Sequence, residues 1–66
     1  MTPAELLAAR TALGLTQGAL ASALGVGRRT VQHWESADRE IPELVARVVK
    51  AGVADPKILE AVAAAA

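Results

Sequence analysis

Residues 15–35 decide the fold of this chain and read LTQGALASALGVGRRTVQHWE. Thr16 is a residue type that caps helices, because its hydroxyl accepts a hydrogen bond from a free backbone N–H of the first turn. Gly25 can take the left-handed backbone conformation that ends a helix. The stretch therefore predicts a short helix, a tight turn at residues 25–27 and a second helix that begins with two arginines.

Apolar side chains on both predicted helices fall at the spacing of one helical face. Leu20, Ala21 and Leu24 share a face of the first helix, and Val31 and Trp34 share a face of the second. The small side chain at position 21 allows the second helix to approach closely. The second helix therefore turns four polar side chains away from the core, and these are Arg28, Arg29, Gln32 and His33. Arginine, glutamine and histidine are types that contact base edges and phosphates.

This pattern resembles the helix-turn-helix of the XRE family, the Cro/CI-type repressors of phages and small bacterial regulators. The residues that carry the resemblance are Leu15-Thr16-Gln17, Leu24-Gly25-Val26 and residues 28–35, with Arg10, Arg39 and Ile41-Pro42 outside them. The resemblance implies an all-α, lambda-repressor-like domain of five short helices. It also implies that helices 2 and 3 bind double-stranded DNA through the major groove.

Start and stop signals outside this stretch place the other helices in one domain, residues 1–66. Helix 1 begins at Thr2 with a capping box to Glu5, and Gly14 stops it. Ala37 stands where the family has a glycine, so we expect helix 3 to run on to Asp38. Helix 4 begins at Ile41-Pro42-Glu43 and stops at Gly52, and helix 5 follows Asp55-Pro56 through the alanine tail.

The last two helices are predicted to complete the core and to offer a contact between two copies of the chain. The predicted inward face of helix 4 consists of Leu44, Val45, Val48 and Val49. In helix 5 we expect Ile58 to close the core. Leu59 and Val62, with the terminal alanines, are expected to form a two-fold dimer seam.

Arg10 lies on an otherwise apolar face of helix 1, where an unpaired charge would be strongly unfavourable. Glu35 is the candidate partner, and the resemblance implies an arginine–glutamate pair at these positions. We therefore interpret Arg10 as structural.

The first turn of helix 3 lies closest to the major groove in this type of protein. We expect Arg28, Arg29 and Gln32 to contact base edges, because the planar fork of arginine matches guanine. His33 is divided between a base and a phosphate. The expected phosphate contacts are Thr16, Gln17 and Arg39, and Thr30, which is equally consistent with a flanking position. The alternative for this face is a solvated surface without a binding partner. Positive side chains in a first turn are, however, unfavourable because they oppose the helix dipole. Residues that are locally unfavourable in this way tend to mark a functional site.

Composition excludes several classes of site and function. The chain has no cysteine, one histidine and a formal net charge of zero. A disulfide framework and a cysteine or multi-histidine zinc site are therefore excluded, and we expect no metal and no cofactor. No nucleophile–base constellation is recognisable, so we expect no enzyme. No signal peptide or membrane-spanning run is recognisable, so a cytoplasmic location and no membrane partner are expected.

The expected function is sequence-specific transcriptional regulation. The resemblance implies a repressor or autorepressor of a phage or mobile-element operon, which binds a palindromic operator as a homodimer. No ligand domain is recognisable, so no small-molecule effector is expected. The alternative is a protein-interaction module on the same scaffold, such as an antitoxin or a partner-binding subunit. Zero net charge favours this alternative, although residues 11–34 contain no acid.

Overall fold

A computed structural model describes residues 1–65, which form five helices and no strand. The helices are α1 (Pro3–Ala12), α2 (Gln17–Leu24), α3 (Arg28–Glu35), α4 (Glu43–Ala54) and α5 (Pro56–Ala65). Helix α2 packs on α3, α1 packs on α3 and α4, and α5 packs on α4 and α2. The predicted all-α class is confirmed.

Helices α1 and α2 begin and end, and α3 begins, where the local signals place them. Thr2 and Glu5 form the reciprocal capping box, and the Thr16 hydroxyl accepts from the Ala19 N–H at 3.1 Å. Gly25 ends α2 with a φ of 73°, the left-handed conformation that glycine adopts without strain. Gly27 caps α3 without a side-chain hydrogen bond.

The core lies between the first four helices. Its buried side chains are Leu6, Leu20, Ala21, Val31, Trp34, Ile41 and Val49. Trp34 is only 4% exposed, so the single aromatic side chain supports the domain from the centre of the core. The two faces predicted for the helix-turn-helix meet here, which fixes α3 against the body of the domain.

The end of α3 differs from the prediction. The helix ends at Glu35 with Ser36 as its C-cap, and it does not extend to Asp38. Ala37 has a φ of +65°, so an alanine takes the left-handed conformation that was expected to require glycine. The loop that follows folds back onto α3, where the His33 carbonyl accepts from the N–H groups of Asp38 and Arg39. These backbone hydrogen bonds offset the strain at Ala37.

Helix α4 is longer than predicted and uses a different face. Gly52 does not stop it, since the helix continues to Ala54 and Gly52 is buried inside it. Leu44 is 72% exposed, whereas Ala46 is buried, so the inward assignment of Leu44 was wrong. Ala46 therefore lies on the buried face of α4 together with Val49 and Gly52.

Helix α5 reverses two of its predicted assignments. Leu59 is 6% exposed and packs over Gly52, whereas Ile58 is 37% exposed. Leu59 therefore closes the core and was wrongly assigned to a dimer seam, while Ile58 faces outward. Val62 is half-buried. The absence of a side chain at Gly52 is what lets Leu59 reach this position.

We predict that Ala37→Gly raises the free energy of unfolding by about 1 kcal/mol, because it relieves the left-handed alanine. Urea denaturation would measure the change. The control is Ala8→Gly in the exposed middle of α1, where glycine should lower stability by about 0.5–1 kcal/mol. Equal destabilisation by both substitutions would contradict the strain at position 37.

We predict that Gly52→Ala lowers the free energy of unfolding by about 1–3 kcal/mol through overpacking. A Cβ at this position would lie 2.6 Å from Leu59 Cγ. Gly18→Ala is the matched control, because its Cβ would meet only Arg28 Cδ at 3.8 Å, an ordinary contact. There the substitution should raise stability by up to about 1 kcal/mol. Thermal denaturation of the two variants should shift the midpoint in opposite directions.

Candidate nucleic-acid interface

An ion pair between Arg10 and Glu35 holds α3 in place. The outer face of this helix carries the predicted base contacts and is called the reading face below. Arg10 Nε lies 2.7 Å from Glu35 Oε2, and Nη2 lies 3.2 Å from Oε1. A third donor, Nη1, binds the Leu15 carbonyl at 3.0 Å. Both charged side chains are largely shielded from solvent, at 17% and 10% exposure. One guanidinium thus ties the end of α1, the entry to α2 and the last residue of α3 together.

Gln17 extends this network to the exposed side of α3. Its Nε2 donates to Glu35 Oε1 at 3.2 Å, and its Oε1 accepts from Gln32 Nε2 at 3.4 Å. A carboxylate only accepts hydrogen bonds, so Gln17 must turn its NH₂ group toward Glu35. The direction of each amide is therefore fixed from Arg10 outward as far as Gln32.

The charge state of Glu35 follows from its surroundings. Burial raises the pKa of the Glu35 carboxyl, but the hydrogen bonds from Arg10 and Gln17 and the charge of Arg10 outweigh burial. The pKa therefore lies below its ordinary value of 4.5. The hydrogen bond to Glu35 in turn raises the pKa of Arg10. Both groups are therefore charged at neutral pH.

A surface cleft opens beside this network, between the first turns of α2 and α3. It has a volume of about 470 Å³ and is lined by Arg10, Thr16, Gln17, Gly18 and Arg28. Backbone N–H groups at a helix start and a guanidinium are the groups that bind an anionic oxygen. The cleft is therefore suited to a phosphate.

Arg28 and Arg29 form the exposed first turn of α3. Within residues 1–65, neither guanidinium takes part in a hydrogen bond or an ion pair. Each can therefore pair with an external partner, and its fork of donors matches the O6 and N7 atoms of guanine.

Residues 6–48 match the helix-turn-helix family HTH_3, the family of XRE-type, Cro/CI-like DNA-binding proteins. The matched range contains α2, the turn and α3 complete. This chain is an XRE-type helix-turn-helix protein. No curated protein and no solved structure gives a significant match to it. Family membership makes it a DNA-binding transcription regulator of the XRE kind that binds double-stranded DNA.

The other residues predicted to contact DNA lie on α3 or close to its ends in this helix-turn-helix protein. Thr16 and Arg39 are exposed, and Thr30 is half-buried. Gln32 is half-buried and held by Gln17, so it does not project freely. His33 Nδ1 lies 3.3 Å from Asp38 Oδ2, which places a carboxylate beside a side chain predicted to contact DNA.

Sequence reasoning missed two links within this site. It treated Gln17 as a separate phosphate ligand, although this side chain also bridges Glu35 and Gln32. It also gave Ser36 and Asp38 no part in the site, although they form a hydrogen-bonded cluster with His33. The one available signal was the occurrence of Ser, Asp and His within six residues, and this pattern is too common to identify a cluster.

Neither a cluster of metal ligands nor a membrane-spanning helix is found in the part of the chain that is described. Residues 1–65 contain no group of three or more potential metal ligands. No helix among them is long and apolar enough to cross a membrane.

We predict that Glu35→Gln lowers the free energy of unfolding by about 1–3 kcal/mol at neutral pH, because Arg10 loses its anionic partner. The pKa of Glu35 is lower in the folded than in the unfolded chain. Its contribution to stability is therefore complete above the ordinary value of 4.5 and is lost as the pH falls through the lowered folded pKa. Urea denaturation across this range should show a shallower pH dependence in the variant.

Glu43→Gln is the control, since Glu43 and Arg47 form an ion pair in which both side chains are at least 75% exposed. Its unfolding should follow the unmodified protein closely, because exposed pairs contribute little. An unchanged acid slope in Glu35→Gln would show that the Arg10–Glu35 pair does not set the pH dependence.

Proposed function

We propose that this regulator is a repressor that reads a palindromic operator as a homodimer and controls its own phage-type or mobile-element operon. The observation that carries the proposal is the exposed first turn of α3, where Arg28 and Arg29 have no partner among residues 1–65 and Arg28 lines the surface cleft. Helix dipoles disfavour cations at this position, so the pair has no structural benefit to explain it. Bound protein would block polymerase by occupancy.

The proposed base contacts are the side chains on the outer face of α3. Arg28 and Arg29 bind guanines through bidentate hydrogen bonds. Gln32 uses one N–H for Gln17, which leaves its carbonyl oxygen and second N–H for a base. This pair of groups matches the N6 and N7 atoms of adenine. His33 completes the set.

The proposed phosphate contacts flank this face. Thr16 and Gln17 line the cleft, where the remaining N–H of the Gln17 amide and the first N–H groups of α2 meet a phosphate oxygen. Thr30 on α3 and the exposed Arg39 in the loop after it contact further phosphates of the DNA backbone. Phosphate contacts position the domain without reading sequence. The formal net charge of zero limits the non-specific affinity of the protein for DNA. The positive side chains of this surface supply the local attraction to the phosphates of the operator.

The proposed dimer uses the outer face of α5. Ile58 and Val62 lie one turn apart there, with Ala61 and Ala65 on the same side. A helix of ten residues offers less area than the roughly 1,200–2,000 Å² of a stable interface. We therefore infer a dimer that DNA completes. Two-fold symmetry then spaces the half-sites by about 10 bp or a multiple of it.

Fluorescence anisotropy with the DNA just upstream of the gene, titrated at several salt concentrations, tests this function. An unrelated duplex of equal length is the reference. Saturable binding that prefers the upstream DNA and weakens with salt is expected. Equal or absent binding to both duplexes would contradict operator reading and favour a protein partner.

We predict that Arg28→Ala and Arg29→Ala each weaken operator binding by about 1–3 kcal/mol and relax the preference at one guanine. Lys50→Ala is the control, because it also removes one positive charge. Lys50 lines a groove between α1 and α4 to which α3 contributes no residue. That variant should bind almost as tightly as the unmodified protein. Unchanged binding by both arginine variants would remove them from the recognition surface.

A further inference from the structure

The loop after α3 places a carboxylate beside the last outward-facing side chain of the recognition helix. The His33 carbonyl accepts from Asp38 N–H at 3.0 Å and from Arg39 N–H at 3.3 Å. Ala37, in the left-handed conformation, reverses the chain so that this contact can form. The backbone itself therefore holds Asp38 next to the His33 ring.

The hydrogen bonds of Asp38 define which ring nitrogen carries a proton. Asp38 Oδ2 accepts from the Ser36 hydroxyl at 3.0 Å and lies 3.3 Å from His33 Nδ1. The hydrogen bonds from Ser36 and His33 lower the pKa of Asp38, so its carboxylate is ionised at neutral pH. An ionised carboxylate has no proton to donate, so Nδ1 must be the donor. In the neutral ring, Nε2 is then an acceptor.

The position of His33 on α3 brings this acceptor to the DNA. His33 lies one turn beyond Arg29 on the same face, and its side chain is 34% exposed. In the major groove, cytosine N4 and adenine N6 are amino donors. Guanine and thymine present only oxygen or nitrogen acceptors and a methyl group. An acceptor at Nε2 therefore favours the first two bases over the others.

We propose that Asp38 is a positioning residue that fixes the tautomer of His33, so that His33 selects a base with an exocyclic amino group. The selected base is cytosine or adenine, and guanine and thymine are rejected at that position. This inference rests on the proposed operator reading and adds a specificity determinant to it. Asp38 itself does not contact the DNA.

Base preferences measured by competitive selection from a randomised half-site test the proposal. The unmodified protein should prefer an amino-bearing base about three- to tenfold at one position, the range expected for a single hydrogen bond. Both His33→Ala and Asp38→Ala should reduce that ratio to within about twofold. Preferences for guanine elsewhere should be unchanged. Which of cytosine and adenine is selected is read directly from the same data.

Two control variants separate tautomer control from charge. Removing an acid near DNA raises affinity for all sequences, so only the ratio between bases is diagnostic. Glu40→Ala removes an exposed acid of the same loop and should leave the ratio unchanged. Asp38→Asn keeps an oxygen that can accept from Nδ1 and should retain the preference. Loss of the preference in Asp38→Asn, or retention of it in Asp38→Ala, would overturn the proposal.

Imidazole ¹⁵N chemical shifts of the free protein give a readout that does not depend on DNA. Under conditions where the shifts show a neutral ring, the unmodified protein should have its proton on Nδ1. Asp38→Ala should increase the fraction with the proton on Nε2. A proton on Nε2 in the unmodified protein would overturn the proposal even if operator binding is confirmed. If the unmodified protein carries the proton on Nδ1 but shows no preference for any DNA sequence, the proposed function and the base selection by His33 are both contradicted. Only the tautomer assignment would then stand.

Discussion

The shielded charge of Arg10 is the constraint on which the recognition surface depends. A guanidinium placed on the apolar side of α1 needs an anionic partner, and Glu35 is the last residue of the recognition helix. The pair therefore fixes where α3 ends relative to α1. Its third hydrogen bond, to the Leu15 carbonyl, holds the segment just before α2 against α1. A pair of this kind contributes modest net stability, because desolvation opposes attraction, but it selects one geometry.

The same interaction orders side chains that lie outside the core. Glu35 only accepts hydrogen bonds, so it orients Gln17, and Gln17 orients Gln32. Near the C-terminal end of α3, Asp38 Oδ2 lies 3.3 Å from His33 Nδ1. Between these held side chains, Arg28 and Arg29 project without partners among the described residues. The surface thus combines two exposed cations with amide groups whose orientation the Arg10–Glu35 pair sets.

Small residues determine how the body of the domain supports this surface. Ala21 is buried in the core on α2, and Gly52 lies under Leu59 where α4 meets α5. Small side chains at both positions leave room for their neighbours, which suits a chain of 66 residues with a single aromatic side chain and no cysteine. Closing α5 onto the core in this way turns Ile58 outward. The packing of one leucine therefore decides which apolar side chains of α5 remain exposed.

The sequence by itself determined the features that depend on neighbours within about one helical turn. The caps at Thr2 and Thr16, the turn at Gly25 and the inward position of Trp34 all follow from such local signals. Only the tertiary structure decided that Gly52 continues a helix, that Ala37 adopts a left-handed conformation and that Leu59 rather than Ile58 is buried. Each of these depends on a contact with another element or on a returning loop, and residue type and spacing do not encode that contact. The links from Gln17 to Gln32 and from Asp38 to His33 were equally invisible, because the direction of a side chain is set by the helix or loop that packs beside it.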